Sequence, residues 1–199
     1  MNQCGGIRMS YAKYKFADLT IFIALALLFS FISEYAYLKI DNPLVYLNFG
    51  LLISAIAIVR WGFWGSLAYA FGGIPLLIFR SGEAELWFQI LYYVLANMTI
   101  GISVFLFKFV GKDKIHKSFS YALLFLGVIF VSVTIVKGVL LAFVAGDLFG
   151  QIYSYFLAEA FNMVITVLAF IFINRFSDGL IVDMKSYIIS VQREKSEHD

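Results

Sequence analysis

The sequence has little of the chemistry that most enzymes use. It contains one cysteine, Cys4, and two histidines, His116 and His198, in 199 residues. One cysteine allows no disulfide within the chain and no CxxC site, and both histidines fall in segments that we predict to be cytoplasmic. No GxxxxGK[ST] phosphate loop and no glycine-rich dinucleotide fingerprint is present. We therefore expect no enzyme activity, no cofactor and no metal site.

Charged residues are also scarce. Asp, Glu, Lys and Arg make up 14% of the chain, whereas soluble domains carry about 25%. Hydrophobic residues make up 62% and aromatic residues 19%. This composition predicts an integral membrane protein surrounded by lipid. The main basic cluster, KFVGKDKIHK in the predicted 4–5 loop, has only four lysines and one aromatic residue of the Phe, Trp or Tyr type, Phe109, so nucleic acid is not an expected partner.

Apolar segments define the predicted fold. A helix needs about 20 apolar residues to cross the hydrocarbon core. Segments near that length occur at 18–38, 44–60, 62–79, 85–108, 119–146 and 151–175. They predict an all-α integral membrane protein with six transmembrane helices; five is the main rival count. The break at Arg60–Trp61–Gly62 predicts a tight hairpin between the second and third spans.

The basic residues predict the orientation, because cytoplasmic loops are rich in Lys and Arg. Twelve of the fifteen lie in the N-terminal arm, the 2–3 turn, the 4–5 loop or the C-terminal tail, and only Lys39 and Arg80 lie on the other side. Both termini are therefore predicted to be cytoplasmic, with the plasma membrane as the location. The predicted layout is an arm over 1–17, a membrane domain over 18–175 and an amphipathic, charged tail over 176–199.

Two further features of the sequence remain open. Translation starts at Met1 or at Met9, where MSYAKYKF is a plausible beginning. Acidic residues dominate the predicted outer loops, either to serve a solute or only to keep the loops solvated. They are Glu34, Asp41, Glu83, Glu85 and Asp147.

Two ionisable residues fall inside predicted spans, where such residues usually face the bundle interior or a cavity. Lys137 lies about nine residues, or ~14 Å, below the predicted outer surface. Glu159 in FLAEAFN lies about eight residues, or ~12 Å, below it. The two residues are therefore predicted to lie at the same depth on neighbouring helices.

Polar side chains on the fourth and sixth spans extend this pattern. Gln89, Tyr93 and Asn97 recur at i, i+4 and i+8, and Tyr155, Glu159 and Asn162 share a face of span six. With Trp87, Tyr92 and Tyr153 near the mouth, they predict an outward-opening pocket for a small molecule. The alternative is a Lys137–Glu159 ion pair with interhelical hydrogen bonds from the amides, and an interfacial aromatic belt.

Small residues in the first span indicate close helix packing. Ala24, Ala26 and Ser30 lie in ALALLFS, and the last two form a small-xxx-small pair. They serve either packing within the chain or contact with a partner.

The order of these features carries a family resemblance. The chain contains ALALLFS in span one, IVRWGFWGSLAYAFGG across the 2–3 turn, FQILYYVLAN in span four, KGVLLAFVAG in span five and FLAEAFN in span six. Over residues 18–175 it resembles the S components of energy-coupling factor (ECF) transporters. These are small membrane proteins that bind a vitamin or a related micronutrient.

The resemblance implies a function and partners. It implies capture of a vitamin-like solute from outside, and delivery through a transmembrane T component driven by two cytoplasmic ATPases. In the family, small residues of the first helix contact the T component. The residues of this chain that match them are Ala26, Ser30 and Ala24. The family's solute site lies among the outer parts of helices four to six.

The chain looks somewhat like the thiamine-binding branch, but it departs from that branch's ligand residues. The corresponding positions are Tyr92, Ala142, Gly150 and Glu159 here, so the ligand's identity does not carry over. The aromatic pocket and Glu159 favour a planar nitrogen heterocycle, with cation–π contacts to a cationic ring as one expectation.

Two other classes remain open. A membrane scaffold of the rod-shape or cell-wall type has a similar size, but it would not need polar groups converging below an outer mouth. An ion-coupled carrier would use Glu159 and Lys137 as a relay, although the sequence lacks inverted repeats.

Overall fold

The computed structural model describes residues 11–35, 37–39, 44–46, 48–80, 82, 84–176 and 180–198. The alternative starts at Met1 and Met9 lie outside the described residues, as do the acidic loop residues Asp41 and Glu83.

The described part of the chain is almost entirely helical. In chain order the elements are α1 Tyr11–Ser33, β1 Tyr37–Lys39, β2 Leu44–Tyr46, α2 Gly50–Trp61, a 3-10 turn Gly62–Gly65, α3 Ser66–Gly72, α4 Ile74–Phe79, α5 Leu86–Ile90, a π turn Leu91–Leu95, a 3-10 segment Ala96–Phe105, α6 Leu106–Val110, α7 Lys112–Lys117, α8 Phe119–Ala145, α9 Leu148–Phe176 and α10 Met184–His198.

Five helical stretches among the described residues are long and apolar enough to cross a membrane: Tyr11–Ser33, Gly50–Phe79, Leu86–Val110, Phe119–Ala145 and Leu148–Phe176. Their outward faces carry large exposed apolar side chains, such as Leu28, Leu168 and Phe172. An exposed apolar surface of this size is unfavourable in water and is rare on soluble monomers. The predicted class, a helical membrane protein, is confirmed at this level.

The segment between the first two helices differs from the prediction. The first helix ends at Ser33, and the predicted second span begins not as helix but as β2. The two strands pair antiparallel, with Tyr37 opposite Tyr46. Short apolar runs such as Leu44–Tyr46 have no period that separates strand from helix, so pairing with a neighbouring segment decides between them.

The stretch Gly50–Phe79 folds back on itself, so the hairpin predicted at residues 60–62 is present. Gly62 has φ +64°, in the left-handed region that favours glycine, and turns the chain after α2. At Gly65 a Cβ would lie 2.3 Å from the backbone of Ala57 and Ile58. Only glycine permits this close approach of the two arms.

Helix α2 lies at the centre of the bundle, with all twelve of its residues buried. At 1.5 Å per residue it is about 18 Å long, which is less than the ~30 Å of hydrocarbon in a bilayer. Because all of its residues are buried, neighbouring helices separate α2 from the surrounding lipid. The count of six membrane spans stays a prediction.

One end of the bundle, here the Arg60 end, is closed by polar contacts between distant segments. The Arg60 Nε and Asp18 Oδ2 atoms are 2.9 Å apart, and an Arg60 terminal nitrogen donates to the Leu180 carbonyl at 3.0 Å. Lys112 and Asp183 form a second ion pair at 2.8 Å. The start of α1, the 4–5 loop and the C-terminal segment therefore meet at this end.

The opposite end, here the Arg80 end, carries the predicted outer loops. Arg80 lies 3.6 Å from the Glu34 carboxylate, which joins the end of α1 to the end of α4. The Gly50–Phe79 hairpin thus leaves the half of the bundle nearer the Arg80 end and returns to it. Tyr11 at the start of α1 and Met184 at the start of α10 both pack near Trp61 at the Arg60 end.

We expect Gly65→Ala to destabilise the fold strongly. The added methyl group would meet backbone rather than a flexible side chain, so the hairpin must open, at a cost of about 3 kcal/mol. Gly127→Ala is the matched control, because its Cβ meets nothing within 4 Å and alanine favours a helix by about 1 kcal/mol. Thermal unfolding in detergent should show a lower midpoint for Gly65→Ala and an unchanged or higher one for Gly127→Ala. Equal midpoints would contradict the close approach.

Candidate functional site

Lys137 lies at the centre of the polar cluster in the half of the bundle nearer the Arg80 end. It is 5% exposed. Its Nζ lies 5.0 Å from the ring centroid of Tyr92, 5.6 Å from that of Tyr155 and 5.8 Å from that of Tyr69. These distances are typical of cation–π contacts. Three tyrosine rings on three different helices thus form a cage around one ammonium group, here called the tyrosine cage.

Close helix packing brings these residues together. At Gly138, next to Lys137, a Cβ would lie 2.5 Å from the Ile152 side chain and 2.7 Å from its Cα. The absence of a side chain at Gly138 therefore lets α8 and α9 approach closely. Tyr155, one turn beyond Ile152, then lies beside Lys137.

The π turn in the fourth helical stretch changes which tyrosine faces Lys137. An i, i+4 count assumes 3.6 residues per turn, whereas the π turn Leu91–Leu95 is wider and the following 3-10 segment is narrower. As a result Tyr92, predicted near the mouth, contacts Lys137. Tyr93 packs edge-on against Tyr92 at 5.0 Å, and its carbonyl approaches Gly73.

Glu159 and Asn162 form a hydrogen-bonded pair on α9, as their shared face predicts. The Asn162 amide donates to Glu159 Oε2 at 3.0 Å, and its carbonyl oxygen accepts from the Asn48 backbone N–H at 3.2 Å. Asn48 in turn accepts from the Gly50 N–H at 2.7 Å. A chain of hydrogen bonds therefore joins α9 to the start of α2.

The interpretation of Lys137 and Glu159 as a direct ion pair is not supported. Ion pairs among the described residues involve Asp18, Glu34 and Asp183, and none joins Lys137 to Glu159. Glu159 instead accepts a hydrogen bond from Asn162, one turn along α9.

Gln89 and Asn97, predicted as pocket walls, are committed to backbone hydrogen bonds. Gln89 donates to the carbonyls of Arg80 and Ala84 at 3.0 and 2.8 Å, which fastens the loop before α5. Asn97 donates to the carbonyls of Tyr69 and Tyr93 at 3.0 and 2.7 Å. The bond to Tyr69 links two helices, as the structural alternative for Asn97 predicts.

Trp87 and Tyr153 lie on the outside of the bundle, at 61% and 63% exposed. Trp87 donates from its indole nitrogen to Glu85. Exposure at the end of an apolar bundle is typical of an interfacial aromatic belt. Their position therefore fits the belt interpretation better than a place in the pocket.

The small residues of α1 differ in their surroundings. Ala26 and Ser30 are buried, and a Cβ at Gly72 of α3 would lie 3.3 Å from the Ala26 Cβ and 3.4 Å from the Ser30 hydroxyl. Their small size is explained by packing within the chain. Ala24 is exposed on the outer face of α1, so a contact between α1 and a partner would involve Ala24 rather than its two neighbours.

The sequence analysis missed Tyr69 and Asn48. Tyr69 lies about ten residues, or ~15 Å, from the Arg80 end of the predicted third span, 62–79, which is the depth predicted for Lys137 and Glu159. The same depth count applied to span three would have found it. No sequence signal marks Asn48, because its role depends on a contact between residues 114 positions apart.

Two surface grooves lie away from the tyrosine cage. One runs along α8 past Gly127 and is lined by apolar side chains. The other lies at the Arg60 end, between Val59, Lys112 and Tyr187. Among the described residues no group of three or more His, Cys, Asp or Glu side chains is placed to bind a metal ion.

Comparison of the chain with protein-family models, with curated proteins and with solved structures gave no match.

Two fully buried side-chain oxygen atoms in the described part of the chain have no hydrogen-bond partner, Asn97 Oδ1 and Thr134 Oγ1. Thr134 lies three residues before Lys137 on α8, and Asn97 lies five residues after Tyr92 in the fourth helical stretch. Two of the helical stretches that form the cage therefore carry an unsatisfied oxygen within two turns of it.

We expect Thr134→Val to raise the thermal unfolding midpoint. The substitution keeps the shape and removes a hydroxyl whose unsatisfied burial costs about 1 kcal/mol or more. Ser54→Ala is the control, because the Ser54 hydroxyl donates to the Gly50 carbonyl at 2.7 Å, and its loss should lower the midpoint. A lower midpoint for Thr134→Val would show that its hydroxyl has a partner after all.

Proposed function

We propose that this chain is the solute-binding membrane subunit of an ECF-type importer for a vitamin or related micronutrient, built on a planar nitrogen heterocycle. The proposal includes six membrane spans, cytoplasmic termini and residence in the plasma membrane. A T component and two ATPases complete the importer.

The tyrosine cage around Lys137 carries this proposal. An ionisable residue inside a membrane helix is costly and is typically retained for function. Here the costly group lies with Glu159 and Asn162 in one half of the bundle, where three helices converge. A structural scaffold has no need for a buried ammonium that lacks an ion-pair partner.

The arrangement of the two ends supports the direction of uptake. The Arg60 end collects the basic arm, the 4–5 loop and the tail, which the excess of Lys and Arg predicts to be cytoplasmic. The tyrosine cage lies in the other half, toward Arg80, Glu34 and the β-hairpin. A solute arriving from outside would reach the cage first from that end.

We expect the chain purified in mild detergent to carry a vitamin-like small molecule. The solute should appear in an organic extract analysed by mass spectrometry, and Glu159→Gln should reduce its amount, because the substitution weakens the hydrogen bond that holds Asn162 beside the cage. Gly127→Ala is the control, because Gly127 lies in the surface groove along α8, away from the cage. This variant should retain the solute. A chain that yields no solute, and that no vitamin stabilises, would exclude the proposed function.

Association with the T component should depend on the exposed face of α1. We expect Ala24→Leu to weaken co-purification of the T component and the ATPases, because a larger side chain blocks close helix approach. Ala158→Leu, exposed on α9, is the matched control and should leave association intact. Ala26→Leu is unsuitable, since Ala26 is buried against α3. Equal recovery with Ala24→Leu and Ala158→Leu would exclude this face as the contact.

A further inference from the structure

The ammonium of Lys137 has donors that nothing in the described part of the chain accepts. A lysine side chain carries three N–H donors and no acceptor. The recorded contacts of Lys137 Nζ are the three tyrosine rings, and no hydrogen bond or ion pair from it is found among the described residues. The cage therefore offers π faces to the charge but no acceptor to its N–H groups.

Glu159 does not take this role. One of its oxygens accepts the amide of Asn162, which is itself fixed by the Asn48 backbone. A rigid hydrogen-bonded carboxylate that stands off from a buried ammonium leaves the cost of burying that ammonium largely uncompensated. The N–H donors of Lys137 therefore remain available to an acceptor from outside the described chain.

Because Lys137 already occupies the tyrosine cage, a cationic solute is unfavourable there. Aromatic cages bind cations by cation–π attraction, but the ring faces of Tyr69, Tyr92 and Tyr155 already receive the Lys137 ammonium. A cationic ring would have to displace Lys137 and would be repelled by it.

We propose that the solute carries an anionic oxygen group, a carboxylate or a phosphate, that accepts hydrogen bonds from Lys137 Nζ within the tyrosine cage. This inference rests on the proposed function and narrows its substrate class from a heterocycle of either charge to a heterocyclic acid. Lysine donors paired with an anionic acceptor form a charge-assisted hydrogen bond, which is stronger than a neutral one.

Matched acid and amide probes test the inference. The purified chain, freed of co-purified solute, is titrated with pyridine-3-carboxylate against pyridine-3-carboxamide, with benzoate against benzamide, with inorganic phosphate and with N-methylpyridinium. Binding is followed by calorimetry and by the thermal unfolding midpoint. We expect at least one acid to bind about tenfold or more tighter than its amide, and N-methylpyridinium not to bind.

Variants of Lys137 separate a binding role from a structural one. Lys137→Met should weaken binding of the acid by about 100-fold or more, while Lys137→Arg should keep the preference for acids. Without solute, Lys137→Met should unfold at a higher temperature than the wild type, because it removes a buried charge that lacks an acceptor. Lys112→Met, at the Arg60 end, is the control and should keep the acid-to-amide ratio.

The outcomes distinguish this inference from the proposed function. Equal binding of acid and amide, binding of N-methylpyridinium, or an acid preference retained in Lys137→Met overturns the anion site. If no probe binds, the co-purified solute decides: a neutral or cationic molecule overturns the inference but leaves the proposed function, whereas the absence of any solute overturns both. A lower unfolding midpoint for solute-free Lys137→Met assigns Lys137 a structural role and also overturns the inference.

A lipid is the other source of an anionic oxygen. The same titrations in nanodiscs of phosphatidylglycerol and of phosphatidylcholine should give the same acid-to-amide ratio. Stabilisation that depends on Lys137 and appears only with phosphatidylglycerol would assign the site to a lipid phosphate and overturn the solute assignment.

Discussion

Burial of the Lys137 ammonium in an apolar bundle is the constraint around which one half of the structure is organised. Without water, such a group needs π faces, acceptors or a counter-charge nearby. The bundle supplies three tyrosine rings from three helices, and it can do so because Gly138 brings α8 onto α9 and a π turn directs Tyr92 inward. The departures from regular helix geometry thus lie beside the one residue that is hardest to bury.

The two ends of the bundle differ in how they are held. At the Arg60 end, hydrogen-bonded ion pairs join α1, α2, the 4–5 loop and the C-terminal segment. At the Arg80 end the contacts are a longer ion pair, a glutamine that fastens one loop, and the bond from Asn162 to Asn48. The Arg60 end is therefore held by shorter ion pairs than the Arg80 end.

Depth counting along the helices predicted much of the candidate site. Lys137 and Glu159 lie a similar number of residues from a predicted helix end, so the fixed rise of a helix predicts that they share a depth, and helical spacing puts Tyr155 and Asn162 on the face of Glu159. The same spacing predicts Gln89 and Tyr93 in the pocket wall only if the helix keeps a regular turn, which the π turn breaks. For Ala26 and Ser30 the sequence predicts close packing but does not say whether the neighbour is another helix of this chain or a partner.

Hydrophobic composition and the length of the apolar runs by themselves determined that the chain is a helical membrane protein, because the bilayer admits few other solutions. The break at Arg60–Trp61–Gly62, with its single glycine, likewise determined a hairpin. Tertiary structure alone decided that Tyr69, Tyr92 and Tyr155 enclose Lys137, that Glu159 bonds Asn162 instead, and that a short β-hairpin precedes α2. These outcomes depend on which faces of separate helices meet, and a linear pattern carries the period of each helix but not its rotation against its neighbours.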